Sequence, residues 1–437
     1  MQRWLLMPFH YYVFQTSIMK KLIYLLSVAF LLTGCMKTSI DRSYTFFRPV
    51  YSTKAEVQAA IRSDAPVPIV SPGKLFYKDG HIFLNEFEKG IHIIDVQNVS
   101  SPSVRSFVNI PQCVDLAVRG NILYADLGTD LVAIDISNPQ NVELKKVLSG
   151  VFPHRYSYVY SANSQEALYL VNFVRVDTTI SGEADQRWGV SFEDMTRSNL
   201  NFAHFAASTG TKVITNGIGG SMARFGLAGD RMYTVDWSNL KIFNTAIPES
   251  PQYVSQQTIT TGNNVETIFP FQDKLFIGSM QGMFIYDISN RDKPVQAGKF
   301  EHARVCDPVI SDGVNAYVTL RSSNAWCGGF INQLDVLDVT DIYNPKHIKT
   351  YTMASPYGLS KDGDVLIICE GKSGLKFMDA RDPAKIEQLA LLGGMETFDV
   401  IALDGIAYVS AADGLYLVDY SNPRAPQVKS KITFKTP

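Results

Sequence analysis

The 437-residue chain has little cysteine, little tryptophan and no charge of either sign in excess: five cysteines, four tryptophans and a formal net charge of −2. Near-neutral charge, with no Lys/Arg cluster interleaved with stacking aromatics, excludes the basic field that attracts phosphate backbones, so nucleic acid is not a partner. The sequence contains no Cys-x-x-Cys and no His-x-His or His-Glu-x-x-His among its seven histidines, which argues against zinc and thioredoxin-like sites; no metal site is expected. Gly-x-Ser-x-Gly is missing too, and with it a nucleophile elbow. Asn216-Gly217-Ile218-Gly219-Gly220-Ser221-Met222-Ala223 superficially matches a dinucleotide fingerprint, but the residues after it read as a strand. Without a helix N-terminus there is no dipole to hold pyrophosphate, so the segment reads as a loop and no cofactor is implied. Disorder is excluded by 46% hydrophobic against 19% charged residues.

The longest greasy run is short. Lys20 and Lys21 precede Leu22 to Leu32, and Leu32-Thr33-Gly34-Cys35 follows. Eleven residues at about 1.5 Å each cannot cross a hydrocarbon core of about 30 Å. Basic, greasy, small, cysteine is the order of a cleaved export signal, and the segment resembles the lipobox of bacterial lipoprotein signal peptides. That resemblance implies lipidation at Cys35, a signal peptide over 1–34 with the true start at Met19, and membrane attachment through the lipid. Residues 35–69 then read as a linker with one short helix. Thr53-Lys54-Ala55-Glu56 has capping-box spacing ahead of Val57 to Ile61.

From residue 70 to the C-terminus the chain repeats. Gly120-Asn121-Ile122-Leu123-Tyr124 recurs as Gly229-Asp230-Arg231-Met232-Tyr233, as Gln272-Asp273-Lys274-Leu275-Phe276 and as Gly405-Ile406-Ala407-Tyr408. Eleven residues after each aromatic, at Asp135, Asn244, Asp287 and Asp419, a second motif closes, as in Gly282-Met283-Phe284-Ile285-Tyr286-Asp287-Ile288. Prolines four or seven residues further on, such as Pro139, Pro294 and Pro423, end the strand because they lack its ladder donor. With Phe83, Tyr124, Tyr169, Tyr233, Phe276, Tyr317, Ile367 and Tyr408 as a ruler, eight repeats step by 41, 45, 64, 43, 41, 50 and 41 residues. Each holds four short β-rich runs and no room for a helix. The sequence therefore predicts an all-β propeller of eight four-stranded blades, or seven if the degenerate third repeat is absorbed into loops.

The Leu-x-Ile-x-Asp-Ile-Ser-Asn-Pro block resembles the LVIVD repeat of bacterial surface and periplasmic proteins, notably Bacteroidetes lipoproteins. The resemblance covers residues 70 to 430 and implies a propeller outside the cytoplasm, with no activity or catalytic residues attached. It departs from the pattern at Tyr169, which has no acid eleven residues later. The Trp-Asp signature of intracellular propellers, the Ser-x-Asp-x-Gly boxes of sialidases and the regular tryptophans of quinone-cofactor propellers are missing. Cys35-Met36-Lys37-Thr38 lacks the acidic run of surface-exported lipoproteins, which favours the inner leaflet of the outer membrane over its outer face.

Two groups of residues are candidate ligand contacts. Lys74, Asp115, Arg224, Glu266, Asp307 and Asp399 each stand nine or ten residues before the ruler position, at the start of the first strand of a blade. If that strand lines the central channel, they face one another around one mouth. The second group lies in the 22-residue insertion of the third repeat: Asp185, Arg187, Trp188, Glu193 and His204 mix aromatics with charge, as a sugar-binding surface does. The repeated acids Asp95, Asp135, Asp287, Asp338, Asp379 and Asp419 read instead as turn formers that accept backbone N–H groups. Cys306 and Cys327, at one end of the sixth repeat, are a candidate disulfide. The function expected is a binding or scaffold module for an envelope glycan, peptide or protein. The alternative is a polysaccharide lyase or hydrolase whose acids come from several blades.

Overall fold

A computed structural model describes residues 39–153, 158–160, 167–183, 216–221, 223–259, 265–301, 308–321 and 332–435. Its described residues fall into two compact units, one of residues 39–48 and 173–183, the other drawn from 49–172 and 201–437. β1 (Ser39–Thr53) leads into the only described helix, α1 (Lys54–Ala59). The capping box is formed as expected: the Thr53 hydroxyl accepts the Glu56 N–H at 3.3 Å, and the Glu56 carboxylate accepts the Thr53 N–H at 2.8 Å. Val57 is buried in the core of the first two repeats, and Lys54 pairs with Asp130 at 2.6 Å, so the helix lies on the side of the second unit. β2 (Arg62–Asp64) pairs with the outer strand of the first repeat. The stretch expected as a linker with one helix thus also holds two strands.

Seven repeats fold into four-stranded antiparallel meanders. The first runs from β3 (Pro72–Lys78) to β6 (Ser103–Asn109), the second from β7 (Leu116–Arg119) to β10 (Glu143–Leu148). The third repeat supplies β11 (Tyr158–Tyr160) and β12 (Ala167–Glu183), which join β1 in a three-stranded sheet ordered β1-β12-β11. β13 (Ile218–Gly219) adds to the edge of β3. Five more meanders follow: β14 (Phe225–Ala228) to β17 (Gln252–Thr258), β18 (Val265–Phe271) to β21 (Val295–Glu301), β22 (Val309–Ser311) to β25 (Lys346–Thr352), β26 (Leu359–Asp362) to β29 (Glu387–Leu392), and β30 (Thr397–Leu403) to β33 (Gln427–Thr433). Eight sheets are therefore present, one per repeat.

The innermost strands touch in sequence: β3 meets β7, β7 meets β14, β14 meets β18, then β22, β26 and β30 follow, and β30 meets β3. The seven four-stranded meanders supply these inner strands, and the described strands of the third repeat form a sheet with β1, neither a four-stranded blade nor the loops of the seven-bladed alternative. The first and last blades share one core of Ile69, Leu75, Ile82 and Leu84 with Ile401, Leu415 and Phe434. Strand position explains composition. The second strand of the second repeat, Ile122–Leu127, is buried at all six positions because neighbouring blades cover both its faces, so it reads as a continuous apolar run; the outer Glu143–Leu148 is half-exposed and carries Glu and Lys.

The ruler aromatics are struts between blades. The Tyr124 hydroxyl donates to the Pro248 carbonyl at 2.8 Å, and Tyr233 does the same to Arg291, each reaching the last turn of the next blade. Burial pushes both phenols well above their ordinary value, so they remain donors. The repeated acids behave as turn formers. Asp95, Asp135, Asp287, Asp338, Asp379 and Asp419 each accept the N–H two residues on, at 2.7 to 3.2 Å. Asn138, Asn290 and Asn422 then repeat the same bond just before the strand restarts.

Candidate functional site

Residues at the start of the inner strands meet at one end of the ring. Lys74 donates to the Asp115 carboxylate across the joint between the first two blades. Asp115 also accepts the N–H of Leu116 and, from the next blade, the N–H of Arg224, both at 2.8 Å. The Arg224 guanidinium reaches the Glu266 carbonyl at 3.4 Å, which carries the chain of contacts into a fourth blade. Asp399 closes it from the last blade. Burial pushes its carboxyl well above the usual range, opposed by the N–H groups of Leu75 and Val400 and by the Lys74 charge.

The structure thus brings Lys74, Asp115, Arg224 and Asp399 together as the spacing anticipates, with one difference from the expected mouth. Lys74, Asp115 and Asp399 are 4%, 0% and 1% exposed, so this end is an ionic joint between blades; Arg224 and Glu266 stay half-buried. Sequence spacing finds the register of these groups but carries no information on what stacks above them.

The open space lies at the other end of the same strands. A cavity of about 1290 Å³ is bounded by the turns that join first to second strands, from Asp79-Gly80 in the first blade to Asp404 in the last. Its lining mixes polar and apolar groups: Phe76, Phe225, Phe269 and Phe271 lie behind it almost fully buried, and Arg291, Asp312, Lys361 and Asp362 stand at its rim. Lys361 pairs with Asp312 at 3.0 Å across two blades. Burial alone pushes Asp312 up, but the N–H groups of Asn315 and Val314 and the Lys361 charge outweigh it and hold the carboxyl below its usual range. Asp362 accepts the Tyr420 hydroxyl at 2.6 Å and the Gly405 N–H at 3.2 Å. These bonds fix the rim carboxylates as preorganised acceptors rather than mobile charges.

The glycine-rich segment expected as a loop lines this cavity. Gly217 donates to the Val118 carbonyl at 3.0 Å while Ile218 and Gly219 pair with Tyr77 and Phe76. A Cβ on Gly217 would lie 2.2 Å from the Phe76 ring and 2.6 Å from the Tyr77 carbonyl, so only glycine fits. β14 follows it, as the argument against a dinucleotide site requires. Among the described residues, no group of three or more His, Cys, Asp or Glu could hold a metal ion.

One class of anchoring residue escaped the sequence reading. Glu86, Asp126 and Glu370, all buried near the end of second strands, accept two consecutive N–H groups each from the segment entering their own blade: Val70 and Ser71, Val114 and Asp115, Ala354 and Ser355. The signal was an acid two or three residues after the ruler position, obscured because other repeats carry Ser279 or Ala411 there.

Cys35, Asp307, the insertion residues Asp185, Arg187, Trp188, Glu193 and His204, and the pair Cys306 and Cys327 lie outside the described residues. Cys113 and Cys369 are buried, as small hydrophobes are.

No curated protein matches the chain in sequence. In structure it is similar to the computationally designed Ika8 protein, at 9% identity over 85% of this chain and 92% of that one, with a TM-score of 0.48. It is similar to BamB from Moraxella catarrhalis, at 7% identity over 88% and 98%, TM-score 0.47. PorZ, a surface component of the type-IX secretion system of Porphyromonas gingivalis, matches at 11% identity over 86% of this chain but 39% of its own, TM-score 0.44. The LVIVD repeat family matches two stretches, residues 112–148 and 395–433, which are the second and last repeats. The chain is an all-β propeller protein that carries LVIVD repeats.

Proposed function

We propose that the chain is a lipid-anchored binding module of the cell envelope, and that its ligand enters the cavity among the first turns of the blades. The observation that carries this reading is the cavity itself: about 1290 Å³, mixed in its lining and charged at its rim. Ligand sites combine apolar surface with a few fixed polar groups, and fixed carboxylates beside lysine and arginine suit an oligosaccharide or a polar peptide segment. The anchor rests on Lys20-Lys21, the apolar run and Leu32-Thr33-Gly34-Cys35; it ties the module to the outer membrane, facing the periplasm.

The hydrolase form of the enzymatic alternative needs a rim carboxylic acid that is protonated at neutral pH. Asp312 is held below the ordinary carboxylate range, which suits acceptance of ligand hydroxyls instead. A glycan and peptide array probed with the full chain and with an Arg291→Ala/Asp404→Ala variant tests the proposal. Binding of one polar ligand class that falls at least tenfold in the variant supports it. Equal binding by both proteins to every array hit sinks it.

A further inference from the structure

The first strand of each four-stranded blade bonds the second strand on one side and turns its other edge to the channel. In an antiparallel pair the N–H and C=O of alternate residues point to opposite edges. Contacts at the first two blades show that the inward edge takes up main chain: Gly220 donates to the Leu75 carbonyl at 3.2 Å, Ile218 and Gly219 pair with Tyr77 and Phe76, and Gly217 donates to the Val118 carbonyl at 3.0 Å. Asn216 to Gly219 thus lie as an extended peptide along the inner edges of β3 and β7, in the wall of the cavity. In β14 the Arg224 carbonyl accepts the Val235 N–H of β15 (Arg231–Asp236) at 2.9 Å, and Ala228 pairs with Arg231 across the turn Gly229-Asp230. Arg224, Gly226 and Ala228 therefore bond to β15, and Leu227, half-buried in the cavity lining, presents its N–H and C=O to the channel. Among the described residues, no backbone group bonds Leu227 from that side. Pro270 holds the same register position in β18, one residue before the pair Phe271 and Lys274, and has no N–H to offer.

We propose that the cavity takes an extended peptide, added as a strand to the inner edge of β14 through the N–H and C=O of Leu227, with a lysine or arginine of the peptide turned to the aspartates of the rim. The proposal rests on the binding reading above and names its ligand class. In strand addition, main-chain bonds to an open edge supply affinity and the surroundings of alternate side chains supply choice. Charge favours a basic peptide. Among the described residues, five aspartates line the cavity against two lysines and one arginine. Lys361 is paired with Asp312, whereas the described donors to Asp362 are neutral, the Tyr420 hydroxyl and the Gly405 N–H. An incoming ammonium or guanidinium gives that carboxylate a charged partner.

An array of basic, neutral and acidic peptides of about eight residues, screened against the full chain beside a set of neutral oligosaccharides, tests this. The expected hits are basic peptides. In the tightest of them, N-methylation of an amide that faces β14 is expected to weaken binding roughly tenfold, while the next amide along, which points away, tolerates the methyl group. Leu227→Pro is expected to lose binding by a similar factor with an unchanged urea midpoint, because β18 folds with Pro270 at that position. Should this variant unfold, the N-methyl scan on the wild-type protein decides. Undiminished binding by folded Leu227→Pro protein, or hits that no backbone N-methylation weakens, overturns strand addition and leaves the cavity reading standing. Oligosaccharide hits lost in Arg291→Ala/Asp404→Ala, without a peptide hit, do the same. Acidic peptides that bind as tightly as basic ones overturn the charge assignment. No hit in either set, or hits that Arg291→Ala/Asp404→Ala leaves unchanged, refutes the binding reading itself.

Discussion

Asp115 and Arg224 are 109 residues apart in the chain, and the Asp115 carboxylate accepts the Arg224 N–H at 2.8 Å. That bond joins the second repeat to the fourth. The same carboxylate takes the buried Lys74 ammonium, so one residue holds three inner strands in register. Asp115→Ala removes the carboxylate that receives the Lys74 ammonium and the Arg224 N–H, and removal of one partner of a buried pair costs about 3–5 kcal/mol. Urea unfolding of the variant is expected to show a midpoint lowered accordingly. Asp115→Leu/Lys74→Met, which removes both charges, is expected to recover most of the loss.

The turn acids predict an acid limit to stability. Asp379 and Asp419 are held near about 2, the first mainly by the Arg381 side chain and the second mainly by the Ser421 N–H. Asp95, Asp135, Asp287 and Asp338 are lowered as well. A depressed folded pKa contributes stability that is complete above the unfolded value near 3.8 and disappears as pH falls toward 2. The share of stability that these turn acids supply is therefore expected to stay constant from pH 7 to about 4 and to be lost below, read as a fall in the urea midpoint. Asp419→Asn keeps an acceptor that does not titrate, and its midpoint should fall less over the same range.

Asp399 has the opposite sign. Its folded carboxyl is raised by burial, so its contribution is most favourable at low pH and is lost as pH rises past the unfolded value. Asp399→Asn removes the titration. The variant is expected to gain stability relative to wild type between pH 4 and pH 8, read as a growing difference in urea midpoint. A constant difference across that range contradicts the assignment.

The interblade tyrosines give a smaller, cleaner effect. Tyr124→Phe deletes the bond to Pro248 and strands that carbonyl while leaving the ring packed. The cost is expected at about 1 kcal/mol, as is that of Tyr233→Phe, which deletes the bond to Arg291. The double variant should show the sum, because the two struts serve different joints.

Much of the propeller is legible in the chain because each blade repeats one local solution. The aromatic ruler, the closing Asp and the following Pro mark a strut, a turn and a strand end, and each follows from nearby residues alone. The third repeat is not legible in this way. Tyr169 keeps its place in the ruler and is buried, but its strand continues to Glu183 and pairs with β1, a partner more than a hundred residues away that no local pattern announces. The candidate ring at Lys74, Asp115, Arg224 and Asp399 was visible as register, whereas its burial depends on packing above it. Gly217 and Gly219 resembled a nucleotide loop because glycine marks any close backbone approach; the close neighbour here is Phe76. The cavity could not be read at all, since its wall comes from turns of six blades whose residues share no motif.

The most direct test of the binding reading is a crystal structure of the full chain with the tightest array ligand. Density is expected inside the cavity, against Phe76 and Phe271 and within bonding distance of Arg291, Lys361 or Asp404. Full occupancy on the outer strands of a blade, or at the end of the ring where Asp115 joins Lys74, with the cavity left to solvent, contradicts the account.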